Sequence, residues 1–223
     1  MTLLEIPESE YTIVAPPLGL SFRWDGLCWS HILFSGETTL AASIESDALR
    51  DDHDRIVSPT YQQLSVNSAD DGARILLMGQ RGRNHSSGVF TTRENLNAVA
   101  VEVDVAIRSR SNLSSLASTY RVEYTSSDIL DADAEVIVWR MRTPPGGTLR
   151  FEAIAEEPGA TLVALSEAGR KAMNVQAVAR FPATGATNRL RYRWRWSGQA
   201  ASRGAILRPL HSLDPPPETR ENQ

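Results

Sequence analysis

The chain has 223 residues, 41% of them hydrophobic and 22% charged, an ordinary globular composition that suffices for one large β domain or two small ones. A formal net charge of −4 excludes the general basic field that recruits nucleic acid, and Cys28, the one cysteine, excludes an internal disulfide framework and any multi-thiolate metal site. No run approaches the roughly 20 apolar residues of a membrane-spanning helix, and residues 1–11, with Glu5, Glu8 and Glu10, lack the basic and apolar regions of a secretory signal. The expectation is a cytoplasmic protein with no membrane or nucleic-acid partner and no cofactor, in which the sequons at Asn84 and Asn112 are accidental.

Residues 20–24 and 27–34 flank Asp25-Gly26, a pair suited to a two-residue hairpin turn. That turn would set Trp24 against Leu27, Phe22 against Trp29 and Leu20 against His31, with Leu20, Phe22, Trp24, Leu27, Trp29 and Leu33 on one inward face. His31 falls among them and reads as a core histidine bonded to a neighbour. Residues 36–50 fit a short helix or an edge strand, and strand is the reading taken. Asp51-Asp52-His53-Asp54 offers metal-ligand chemistry, but adjacent loop residues rarely converge on one ion, so a solvated loop is expected.

Residues 61–66 and 73–78 read as strands around the turn signal of 67–72. Residues 79–88, with three glycines, Arg81, Arg83 and His85, read as an exposed hairpin loop or a ligand-contacting one. The loop lacks the Gly-Lys-Ser/Thr ending and following helix of a phosphate-binding loop. Residues 99–107 alternate strictly: Val99, Val101, Val103, Val105 and Ile107 on one side, Glu102 and Asp104 on the other. Further strands are expected at 119–125, 134–142, 148–156, 161–165 and 174–181, with a helical turn possible in chemistry and length at 166–173.

Residues 188–196, Asn-Arg-Leu-Arg-Tyr-Arg-Trp-Arg-Trp, carry the clearest pattern in the chain. Leu190, Tyr192, Trp194 and Trp196 point one way along a strand; Arg189, Arg191, Arg193 and Arg195 point the other. The acids at 102 and 104 are their natural complement. Alternation fades after residue 200, which predicts one β-sandwich domain over 1–200 and a partly disordered tail over 201–223. Short strands at regular spacing without a long amphipathic helix predict an all-β fold, a large two-sheet antiparallel β-sandwich with little helix. The jelly roll and the galactose-mutarotase supersandwich serve as analogies, since no stretch carries a family signature.

Arginine offers a rigid fork of donors to carboxylates, sulfates, phosphates and sugar hydroxyls. The candidate ligand-binding residues are therefore Arg81, Arg83, Arg189, Arg191, Arg193 and Arg195, and the first expectation is a protein that binds a saccharide or another polar anionic ligand. A plain charge ladder on a water-facing sheet is the competing reading. The tryptophans alternate like core residues, leaving Trp139 or Tyr61 as the candidates for stacking on a sugar. A second expectation is a sugar-modifying enzyme of epimerase or lyase type, with His85 and either Glu102 or Asp104 as catalytic residues. The third is a structural sandwich whose sheet is an assembly surface. No Gly-x-Ser-x-Gly or His-Glu-x-x-His motif supports a serine hydrolase or a metalloenzyme, and no metal ligands are proposed.

Overall fold

The computed structural model describes residues 10–45, 55–69, 72–95, 98–110, 113–123, 127–142, 146–155, 159–166, 172–179, 187–198 and 206–209. The Asp51-Asp52-His53-Asp54 run, Asn112 and Tyr124 lie outside them. Among the described residues there is no helix, and so none long and apolar enough to cross a membrane.

Among the described residues seventeen strands, numbered along the chain, build two sheets. The first runs in the spatial order β14 (Ala160–Ser166), β15 (Ala172–Ala179), β10 (Ser115–Glu123), β4 (Thr38–Ser43), β3 (Trp29–Ser35), β2 (Leu18–Trp24), β1 (Glu10–Ala15) and β17 (Ile206–Pro209). A two-residue β5 (Arg55–Ile56) pairs with β10, the one parallel pairing described. The second runs β11 (Ser127–Ala132), β12 (Val136–Met141), β13 (Gly147–Ala153), β16 (Thr187–Ser197), β9 (Ala98–Ser109), β8 (Asn84–Asn95), β7 (Gly72–Arg81) and β6 (Gln63–Ala69). The chain is thus an antiparallel β-sandwich, as the alternation predicts.

Period-two patterning sets which side of each strand is dry. On β9 every second residue from Val99 to Ile107 is buried, and on β16 Leu190, Tyr192, Trp194 and Trp196 are buried. These central strands pair along their whole length, Trp196 opposite Val99 through to Asn188 opposite Ile107. Rings from both sheets then meet in one core. Phe22 lies edge-on to Phe90 at 5.1 Å, and Tyr120 to Trp194 at 5.2 Å. Phe151 stacks on Trp194 at 4.4 Å, and Trp194 on Trp139 at 5.9 Å.

The structure corrects three local expectations. Trp24 pairs with Trp29, Phe22 with His31 and Leu20 with Leu33, two residues away from the expected register. The reason is a wider turn: the Asp25 amide donates to the Cys28 carbonyl, while the Asp25 carboxylate accepts the Leu27 and Cys28 amides at 2.8 Å each. A shift of two preserves the faces, so only Leu27 changes fate, ending 70% exposed in the turn. Residues 79–88 are not a long loop. β7 and β8 continue to Arg81 and Asn84 and are joined at Gly82-Arg83, with Gly82 at φ +57°, a left-handed conformation that glycine adopts without strain. Trp139 and Tyr61 are buried, so neither is a stacking platform. Residues 167–171, where a helical turn is allowed, lie outside the described residues, and β15 begins at Ala172.

Candidate functional site

The outward sides of β13, β16, β9 and β8 carry the charges. Antiparallel register arranges them in ranks across the sheet, about 5 Å between strands and about 7 Å between ranks. Near the start of β16 Arg189 faces Ala106, and its guanidinium forks onto the Asp104 carboxylate of the next rank, with Nε to Oδ1 at 2.7 Å and a shorter contact from Nη2 to Oδ2. Arg191 stands directly opposite Asp104, its Nε 3.6 Å from Oδ2. One carboxylate therefore serves two arginines. In the following rank Glu152, Arg193 and Glu102 lie side by side. Arg193 Nε donates to Glu152 Oε2 at 2.5 Å.

The rank above has a different composition. Arg150 on β13 lies directly opposite Arg195 on β16; Arg195 is opposite Ala100 on β9, and Ala100 is opposite Arg93 on β8. From β13 to β8 no acid stands in this rank; on the far side of Arg150 come Val138 and then Asp131. Arg195 makes no hydrogen bond or ion pair with any described residue, Arg150 comes only within 4.0 Å of Glu152, and Arg93 Nε is 3.6 Å from Glu102 Oε2. Like charges directly opposite one another destabilise a sheet unless something neutralises them. Beyond this rank the surface is neutral, with Thr148, Ser197 and Ala98 in register, and then Arg140 with Asp128 across from it.

The remaining expected site residues sit apart from that rank. Arg81 is paired with Asn84 on the inward side of β7, so it projects from the opposite face to the arginine stripe, and Arg83 occupies the exposed turn. His85 is outward and exposed but stands opposite Arg108 at the far end of the sheet. Asp104 is opposite Val89 and Glu102 opposite Thr91. Four and six residues of extended strand separate these positions from His85, about 14 and about 20 Å. The register does not bring His85 to either carboxylate.

A second polar cluster lies inside the sandwich. His31 Nε2 meets the Tyr120 hydroxyl at 2.8 Å, and that hydroxyl meets Tyr192 Oη at 2.7 Å, a chain that crosses from one sheet to the other. His31 Nδ1 and the Tyr61 hydroxyl are buried beside it without a partner. Glu45, accepting from Ser43 Oγ at 2.5 Å, and Ser118 also line the space. The Tyr61 hydroxyl fits there because residue 88 is glycine: a Cβ would sit 2.5 Å from that oxygen. The space open to the centre of a water molecule is about 10 Å³, close to the least that holds one water. It cannot admit a sugar.

Burial sets the protonation of this cluster. It pushes the His31 imidazole down to about 3 and the Glu45 carboxyl up to about 7, and raises the phenols of Tyr61, Tyr120 and Tyr192. Burial also lifts the Cys28 thiol to about 12, so it stays protonated and unsuited to nucleophilic work. Among the described residues no group of histidine, cysteine and acid side chains could hold a metal ion.

No family model matches the chain, and no curated protein matches its sequence. Function must therefore be argued from the two clusters themselves. The interior chain was half visible in the sequence, since His31, Tyr120 and Tyr192 all occupy inward positions; their meeting depends on which strands face each other across the sandwich. Arg150 and Arg93 were missed as ligand candidates because each lies alone among other residue types, and only the register sets them beside Arg195.

Proposed function

We propose that the protein binds an acidic saccharide on the outer face of its second sheet, at the rank formed by Arg150, Arg195 and Arg93. The observation that carries this reading is the rank itself: three guanidinium groups aligned with no carboxylate among them, one of them without any protein partner. Anions supply what such a rank lacks, and arginine holds them through paired, charge-assisted hydrogen bonds. Thr148 and Ser197 flank it with hydroxyls suited to sugar oxygens.

Charge rather than stacking would drive recognition. All the exposed large hydrophobic residues among those described are aliphatic, so a neutral sugar would find no aromatic platform on this face. The register also shifts the emphasis within the stripe. Arg189, Arg191 and Arg193 are engaged by Asp104 and Glu152, and Arg195 becomes the residue to change.

A thermal-unfolding scan across neutral sugars, uronic acids, sulfated sugars and sugar phosphates tests the reading, because a ligand specific to the folded state raises apparent stability by mass action. Stabilisation confined to acidic sugars, and lost in Arg195→Glu, is the expected result. Equal response to neutral sugars, or none to any compound, would overturn it.

A further inference from the structure

The surroundings of the arginine rank narrow the class of ligand further. On one side the ranks pair acids with arginines: Glu152 on β13 and Glu102 on β9 flank Arg193, and Asp104 on β9 faces Arg191 in the next rank. On the other side the surface is neutral at Thr148, Ser197 and Ala98. A polyanion continuing in that direction would meet carboxylates on β13 and β9, and arginines on β16 that those carboxylates already engage. A ligand with one charged group and a neutral remainder would not.

Within the rank, Ala100 is the only position without a long side chain, and it separates Arg195 from Arg93. Two strand spacings put these arginines about 10 Å apart at the backbone, with a low floor between them and Arg150 behind Arg195. An anion over Ala100 would meet donors arriving from opposite sides. A carboxylate offers its two oxygens in one plane, as Asp104 does to Arg189 and Arg191. A sulfate or phosphate monoester has three terminal oxygens pointing in different directions and can engage several forks at once. The local charge agrees: four guanidinium groups, Arg93, Arg150, Arg193 and Arg195, stand against two carboxylates, Glu102 and Glu152.

Building on the anionic-saccharide reading above, we propose that the ligand carries a single tetrahedral oxyanion, a sulfate or phosphate monoester. It would be seated over Ala100 between Arg195 and Arg93, with the neutral sugar ring directed toward Thr148 and Ser197. The acids of the neighbouring ranks act as the boundary that rejects polyanions.

Calorimetric titration at low salt with glucose 6-sulfate, glucose 6-phosphate, glucuronate and polygalacturonate tests this proposal. Wild-type protein is compared with Arg195→Ala and with Arg23→Ala, a control of equal charge change on the other sheet, where Arg23 is exposed and lies 3.7 Å from Glu10. The monoesters should bind at least tenfold more tightly than glucuronate or, per uronate unit, polygalacturonate. Arg195→Ala should remove that preference while Arg23→Ala keeps it. The two monoesters distinguish a sulfate from a phosphate seat. Tightest binding of polygalacturonate, lost in Arg195→Ala, would overturn the single-oxyanion seat and leave the acidic-saccharide reading standing; no binding of any of the four would overturn both.

Discussion

Strand β16 presents two polar surfaces, and they obey different rules. Outward, its arginines sit in or near water, where an ion pair contributes roughly 0.2–1 kcal/mol and can be exchanged for another partner. Inward, Tyr192 joins Tyr120 and His31 in a dry core, where leaving a polar group unsatisfied costs about 1–3 kcal/mol. The comparison shows where this sandwich can afford to bind something and where it cannot. The outer face has groups to spare, whereas the inner chain is committed to joining the sheets.

Several substitutions can break or sharpen that contrast. The largest effect is expected in the core beside the inner chain: Trp194→Ala removes a ring stacked on Phe151 and Trp139 and should cost about 3–5 kcal/mol, read from urea unfolding. Tyr120→Phe should cost about 1–3 kcal/mol in the same assay, because His31 Nε2 and the Tyr192 hydroxyl both lose their shared partner. A loss no greater than that of a surface change would show the inner chain to be dispensable.

The pH dependence of stability should carry the signature of the same cluster. His31 has its pKa lowered from 6.5 to about 3, so the unfolded chain binds its proton more readily and stability rises between about pH 3 and 6.5. Glu45 is raised from 4.5 to about 7; here the folded protein holds the proton, and stability falls as pH rises through that window. The two slopes oppose each other between pH 4.5 and 6.5. In Glu45→Gln the decline disappears, and stability should keep rising to about pH 6.5 before levelling. Parallel profiles for variant and wild type would remove Glu45 from the account.

The smallest effect belongs to the outer face. Arg189→Ala breaks an exposed pair with Asp104 and should change stability by at most about 1 kcal/mol. A loss comparable to that of Tyr120→Phe would erase the distinction between the two faces.

Much of this organisation could be read from the chain, and the parts that could not have definite reasons. Alternation alone assigned the inward residues of β9 and β16, because a half-buried antiparallel strand must sort its side chains with period two. The Asp25-Gly26 turn misled by two residues because the Asp25 carboxylate captures two amides and widens the loop, a choice that dipeptide preference does not reveal. The strand at Ile206–Pro209 pairs with β1, nearly two hundred residues earlier in the sequence, and local patterning cannot anticipate an edge completed from so far away. The same limit hid the arginine rank. Arg93, Arg150 and Arg195 are distant in sequence and become neighbours only through strand order.

The measurement that bears most directly on the central claim is mapping of backbone amide chemical shifts while glucose 6-sulfate is added. The account predicts changes centred on Arg93, Ala100, Arg150 and Arg195, with the amides of His31 and Tyr120 unmoved. Changes centred on the Gly82-Arg83 turn or on the interior chain, with the arginine rank silent, would contradict it.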